Sequence, residues 1–270
     1  IIIKEFEMEK KKGILITSFG SANLNAHSLL NDFVKQVELN FSDAVVKNAF
    51  TSVFISKKLN DKGITVKSVQ ECLEDFAQAG ILDVVIQQTN LATGKEYEEK
   101  IVKVAEKMRR IFNSLKIGKP LMYVGTASEN EVNYTLLALA LQKQFKNFDD
   151  CEFVFMGHGV KNRCLQEYKL LQSTFNKMKL PVFIGLMEEC FSLEHIVECL
   201  AVKSKGRRII LMPLLFIAGG HVEQELLTDD KSSWKNRLKQ AGYEVEVYPH
   251  GICENREVQE IYIGKIKKLL

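Results

Sequence analysis

Short β-rich runs alternate with helical patterns from Ile14 to Leu269, and that alternation leaves few folds open. Strands that take turns with helices build βαβ units, whose parallel sheets are flanked by helices. In the first half the pattern predicts strands at Ile14–Thr17, Val45–Asn48, Leu82–Gln87 and Leu121–Val124. Helices are expected over Asn25–Leu39, Ser52–Leu59 and Val69–Gln78, and a long charged one over Glu96–Leu115. A helix over Val132–Phe145 joins the halves. The second half repeats the plan with strands at Glu152–Met156, Val182–Gly185, Arg208–Met212 and Glu244–Tyr248, and a closing helix near Val258–Leu269.

The openings of the two halves resemble each other. Ile14-Leu15-Ile16-Thr17-Ser18-Phe19-Gly20 and Phe153-Val154-Phe155-Met156-Gly157-His158-Gly159 are both apolar strands ending in a short turn, and Phe19 stands where His158 stands in the second. The expected fold is α/β with two similar lobes, each a parallel β-sheet flanked by helices, over residues 8–128 and 129–270. Only four prolines occur in the chain and no Gly/Ser-rich linker separates the halves, so the lobes are expected to be tightly joined.

Composition excludes some classes. A chain of 270 residues can fill two such lobes, and its formal charge of +3 lacks the strong basic excess of a dedicated nucleic-acid binder. The clusters Lys10–Lys12, Arg109–Arg110, Arg207–Arg208 and Lys265–Lys268 read as solvated ends of helices and strands. Cys72, Cys151, Cys164, Cys190, Cys199 and Cys253 form no CxxC pair, which suits reduced thiols in the cytoplasm. No apolar run approaches the roughly 18 residues of a membrane span. The opening Ile1-Ile2-Ile3-Lys4 is too short for a signal-peptide core, and Met8 reads as a natural start.

Ligands of parallel α/β sheets bind in the crevice beyond the carboxyl ends of the strands. In the second half, three successive strands run into Gly157-His158-Gly159, into Gly185-Leu186-Met187-Glu188-Glu189, and through Pro213–Phe216 into Ala218-Gly219-Gly220-His221. His158, Glu188 and His221 are therefore expected on one rim, where two imidazoles and a carboxylate suit a borderline divalent ion such as cobalt, iron, nickel or zinc. Alone, the glutamate reads as a first-turn helix residue and His221 as a cap. His250, in Pro249-His250-Gly251, also follows a strand and is a candidate substrate contact. His27 and His195 lie at helix starts and read as surface residues. Trp234, Phe33, Phe76 and Phe112 read as core. No GxGxxG fingerprint, P-loop, HExxH or GxSxG pattern competes.

At these residues the sequence resembles the anaerobic sirohydrochlorin cobaltochelatases, a family of class II chelatases. The resemblance runs from Gly13 to the C-terminus through Ser18-Phe19-Gly20-Ser21, Ala49-Phe50-Thr51-Ser52, Gly94-Lys95-Glu96-Tyr97-Glu98, Met156-Gly157-His158-Gly159 and Tyr168. It continues in Ala218-Gly219-Gly220-His221, Asp229-Asp230, Ser233-Trp234-Lys235, Ala241-Gly242-Tyr243 and Gly251 with Glu254-Asn255. It implies a two-lobed chelatase fold with the active cleft between the lobes. It further implies that His158, Glu188 and His221 hold the metal and that His158 accepts a proton. Pseudo-symmetry then turns Ser18, Phe19 and Gly20 toward the macrocycle.

The chain departs from relatives at Val160 and Asn162, where they carry a small hydroxyl residue and a second histidine. It departs again at Gly220, where they often carry Asp, and near Asn90, where they often carry His. The implied reaction is insertion of Co2+ (Fe2+ or Ni2+ as alternatives) into sirohydrochlorin or precorrin-2 for cobalamin biosynthesis, with no organic cofactor, nucleic acid or membrane involved and a homo-oligomer allowed. The alternatives are Fe2+ insertion for sirohaem and a non-catalytic tetrapyrrole- or metal-binding protein of the same fold. A two-lobed periplasmic solute binder is disfavoured by the unpaired cysteines.

Overall fold

A computed structural model describes residues 11–145, 148–159, 166–188, 191–203 and 208–270. The first lobe holds β1 (Lys12–Ser18), α1 (Leu24–Asn40), β2 (Ala44–Phe50), α2 (Val53–Asn60), α3 (Val69–Gln78), β3 (Asp83–Gln88), α4 (Lys103–Met108) and β4 (Ser114–Ile117). The helix α5 (Ala127–Gln142) leads to β5 (Glu152–Gly159), α6 (Gln166–Lys177), β6 (Val182–Glu188), α7 (Leu193–Lys203) and β7 (Arg208–Leu214). The short turn α8 (Gly220–Val222), α9 (Trp234–Gln240), β8 (Glu244–Val247) and α10 (Arg256–Leu269) complete the chain.

Each lobe carries one four-stranded parallel sheet, in the order β2-β1-β3-β4 and β6-β5-β7-β8. The chain leaves the first strand of each lobe to one side and returns on the other, which opens a crevice at the switch point beside β1 and β5. The likeness of the lobes extends to detail. Gly20 and Gly159 both take positive φ, +89° and +75°, and a π-helical turn follows the third strand of each sheet, at Tyr97–Val102 and Glu223–Leu227.

Two expectations for the first lobe are corrected. The long helix expected over Glu96–Leu115 ends at Ile111, because Phe112 turns extended and Ser114 donates its N–H to Leu82 O. Residues Ser114–Ile117 then pair with β3 and bury Leu115, a gain that overrides local helix preference. The fourth strand is thus β4 rather than Leu121–Val124, which forms a loop. Leu121 and Met122 are apolar because they fill the core, pinned by the Met122 N–H on Leu91 O at 2.6 Å. In the second lobe β5, β6 and β7 run two or three residues further than the pattern indicated, so His158 and Glu188 are the closing residues of strands.

Local signals set the helix starts. Ser68 and Glu71 form a reciprocal capping box on α3, and Thr126 and Glu129 do so on α5. The Glu129 carboxyl, bonded to Thr126 and Lys119, is held well below the usual carboxylate range, at about 2.

One hydrophobic core runs through both lobes. Phe33 of α1 meets Phe216 and Tyr262 edge-on at 5.2 and 5.7 Å. Helix α10 follows the last strand of the second sheet yet packs on β3 of the first, where the buried Tyr262 hydroxyl donates to Thr89 O at 3.2 Å. Lys265 on this helix lies 4.8 Å from the Tyr123 ring, and Lys119 covers the same ring at 4.3 Å. Burial and then the Lys119 and Lys268 charges lower its pKa from 10.5 to about 8. The unfolded chain therefore binds more protons than the folded one between those values, and stability is expected to rise with pH across that window. Urea unfolding of the native protein and of Lys265→Met at stepped pH checks this; the variant should lose the rise.

Among the described residues no helix is long and apolar enough to cross a membrane. Cys72, Cys151, Cys199 and Cys253 are free thiols, while Cys164 and Cys190 lie outside the described residues.

Candidate functional site

Three adjacent strands deliver the expected donors. In the order β6-β5-β7, Glu188 closes β6, His158 stands one residue before the end of β5, and His221 follows β7 in the first turn of α8. The two imidazoles meet edge-to-face with ring centroids 5.0 Å apart. His158 Nδ1 lies 3.0 Å from Gly159 O. With Nδ1–H donating there, Nε2 keeps its lone pair for a metal or a proton. Glu188 sits opposite Gly159 in the sheet register, close enough for its charge to act on His221. Among the described residues no three His, Cys, Asp or Glu groups form a metal-holding cluster, although the two imidazoles come together.

The His221 ring is held below its ordinary pKa of 6.5, first by partial burial, then by the neighbouring His158, with Glu188 pulling the other way. It therefore takes the neutral form, which ligates metal, more readily than an ordinary imidazole does.

The Gly-His-Gly turn is needed sterically. A Cβ at Gly159 would stand 2.5 Å from Glu188 O in a conformation that L side chains avoid, and one at Gly157 would press on Leu186 and Tyr168. The fully buried Tyr168 hydrogen-bonds the Gly159 backbone and so props the turn from below; burial pushes its phenol up to about 12. Gly159→Ala is expected to cost about 2 kcal/mol of folding stability, as strain at a forbidden φ plus a backbone clash, read from the urea midpoint.

Across the junction, Ser18 is buried, Phe19 is 50% exposed just past β1, and Gly20 makes the turn with its Cα against the Phe50 ring. The turn after Gly20 touches the second lobe. Ser21 Oγ lies 3.0 Å from where a Gly219 Cβ would stand, and Asn23 Nδ2 donates to Glu223 Oε1 at 2.6 Å. The loops bearing Phe19 and His221 therefore face each other. A second bond between the lobes runs from Thr93 Oγ1 to the buried Glu167 carboxylate at 2.6 Å, next to Tyr168.

His250 stands apart from the pair, past the edge strand β8, and its Nδ1 lies 2.8 Å from Glu254 Oε2. Its neighbour Gly251 packs directly on the Phe216–Ala218 backbone that leads to His221. His195 is exposed, as expected, whereas His27 is not a free surface group. The first turn of α1 packs its ring edge-on against Phe50 at 5.7 Å, and burial lowers its pKa. Glu189, Val160 and Asn162 lie outside the described residues.

The sequence reading missed a polar tier under the first lobe's strand ends. Thr17 Oγ1, Ser18 Oγ, Thr51 Oγ1, both amide atoms of Gln88 and Glu96 Oε2 are buried and find no partner among the described residues. Thr17 and Gln88 are register neighbours. Glu96 directly precedes the first π-helical turn, much as His221 closely precedes the second. The available signal was Gln87-Gln88-Thr89 closing an otherwise apolar strand.

Two like α/β lobes, each built on one parallel sheet, meet with the paired imidazoles of one facing a polar and aromatic edge of the other. The solved structures agree on the fold. Bacillus subtilis SirB with Fe3+ superposes with TM-score 0.66 at 15% identity, covering 96% of this chain and 95% of that one. The cobalt complex of the sirohydrochlorin chelatase SirB from B. subtilis subspecies spizizenii gives 0.64 at 16%, with the same coverage.

The sequence profile of the cobalt chelatase (CbiK) family matches residues 12–270, and the chain belongs to that family. It is 29% identical over 267 residues to the sirohydrochlorin cobaltochelatase of Salmonella typhimurium, covering 96% of this chain and 97% of the relative. It is 29% identical over 258 residues to the sirohydrochlorin cobaltochelatase CbiKC of Nitratidesulfovibrio vulgaris, covering 95% and 89%.

Proposed function

We propose that this protein inserts cobalt(II) into sirohydrochlorin in the cytoplasm, as a step of anaerobic cobalamin biosynthesis. The observation that carries the reading is the His158–His221 pair, 5.0 Å apart at the carboxyl edge of the second sheet, in a chain of the cobalt chelatase family. The working lobes are residues 8–128 and 129–270, with α10 returning to cover the first.

Metal insertion needs an ion held loosely enough to leave, and acceptors for two pyrrole N–H protons. Neutral imidazoles with a carboxylate nearby meet the first need, since they bind a borderline ion less tenaciously than thiolates would. His158, anchored through Nδ1 on Gly159 O, presents Nε2 as ligand and then as acceptor of a pyrrole proton. His221 shares the ion, and Glu188 offsets its charge. Phe19 meets the ring from the other lobe, with Ser18 and Gly20 shaping the turn beneath it, and His250 borders the substrate's far edge.

The test is anaerobic absorbance of sirohydrochlorin mixed with cobalt(II) or iron(II). Insertion faster than the uncatalysed rate, with cobalt the faster ion, upholds the reading. A faster iron reaction moves the assignment to sirohaem formation, and tetrapyrrole binding with neither ion inserted makes the protein a carrier.

A further inference from the structure

Helix α2 divides its apolar residues between the core, where Ile55 and Leu59 pack, and solvent. Leu59 is buried, but Val53 is 76% and Phe54 64% exposed in the first turn. A surface helix ordinarily turns polar residues outward, and a cluster of exposed large side chains marks a place where something binds. Both residues lie just past the end of β2, at the edge that bears Phe19: Ser18 pairs with Phe50, and Thr51 N–H donates to Ser18 O at 2.9 Å. Lys62, just beyond α2, donates to Ala22 O at 3.0 Å and ties the helix to the loop that meets the second lobe.

Cations edge this apolar surface at helical spacing. Lys58 Nζ stands 4.4 Å over the Phe54 ring, and Lys57 follows Val53 by four residues on the adjoining row. Among the described residues Lys58 makes no ion pair, so its charge is held against an aromatic face and free to meet an anion. A flat aromatic body with carboxylates around its rim matches that arrangement, apolar to apolar and anion to ammonium.

We infer that Val53, Phe54 and Lys58 form the subsite that seats one edge of the tetrapyrrole, with Phe54 under a pyrrole ring and Lys58 on a peripheral carboxylate; this rests on the chelatase reading above. Lys57 extends the cationic edge. The subsite sets substrate affinity and the orientation in which the macrocycle reaches the imidazoles, and it takes no part in metal capture.

The experiment titrates metal-free protein with sirohydrochlorin by absorbance, then repeats the titration with its fully methyl-esterified form. Phe54→Ala is expected to weaken sirohydrochlorin binding about tenfold and Lys58→Ala about fivefold, with Lys58→Arg restoring most of the loss. The ester should bind the native protein more weakly, and Lys58→Ala should add nothing to that loss. Cobalt(II) binding alone, measured by calorimetry, should be unchanged in all three variants.

Sirohydrochlorin affinity within twofold of native in both alanine variants would overturn the subsite, as would an equal Lys58→Ala penalty on the ester. The two readings fail separately. A native protein that metallates while both variants bind normally loses only the subsite. One that binds but never metallates, with weakened variants, loses only the chelatase assignment.

Discussion

His158→Ala is expected to cut the rate of cobalt insertion by about a thousandfold, within the range that a positioned general base commands, while the protein stays folded. One side chain would lose two roles. On the proposed reading it supplies a nitrogen for the incoming ion and, once the ion moves to the macrocycle, an acceptor for a departing pyrrole proton. Its ring is exposed and, among the described residues, hydrogen-bonded to the neighbouring Gly159 carbonyl alone, so the thermal midpoint should barely move. Stopped-flow absorbance under anaerobic conditions reads the rate, and a loss smaller than tenfold would remove His158 from the mechanism. The same variant carries an internal control. Because His158 is one of the groups lowering the His221 pKa, its removal should raise that pKa, visible in ring-proton NMR titration of the metal-free protein.

The second large effect concerns metal capture. His221→Ala should weaken cobalt(II) binding by about a hundredfold, the scale on which lost support of a metal site is felt, as measured by calorimetry without tetrapyrrole. Native binding should also keep its strength to more acidic pH than an ordinary imidazole allows. The His221 pKa lies below 6.5, so proton competition begins only at lower pH. Folding follows the same sign: as pH falls below 6.5 the unfolded chain takes up the proton first, so this group's contribution to stability is lost as pH falls through its folded pKa. A His221 ring that titrates at or above 6.5 in ring-proton NMR of the metal-free protein would contradict the assignment.

The polar tier at Thr17, Thr51 and Gln88 gives the first lobe a chemical character that the second lobe lacks. Where β5 and β7 pair Met156 with Pro213, β1 and β3 present a hydroxyl and a carboxamide at the register-matched Thr17 and Gln88. The two lobes share a fold and have diverged in what they offer at their strand ends. One presents paired imidazoles, and the other presents hydrogen-bonding groups, aromatic surface and lysines.

Much of this could be read from the chain. Short continuous apolar runs located seven of the eight strands, because a buried parallel strand has almost no other composition to choose from. Strand ends in a parallel sheet all open on the same edge, so Gly157-His158-Gly159, Glu188 and Gly220-His221 could be assigned to one rim before any coordinate was known. Capping boxes at Ser68–Glu71 and Thr126–Glu129 are local chemistry and equally legible.

What the sequence could not decide depends on partners distant along the chain. Ser114–Ile117 is a strand because β3 offers it an edge, and Leu121-Met122 is not because its apolar side chains fill the core from a loop. Tyr262 closes the first lobe from the far end of the polypeptide. Phe54 is exposed despite its large apolar ring. Periodicity records which face of an element is apolar; whether that face meets the core, the opposite lobe or a ligand is settled only by how the elements pack.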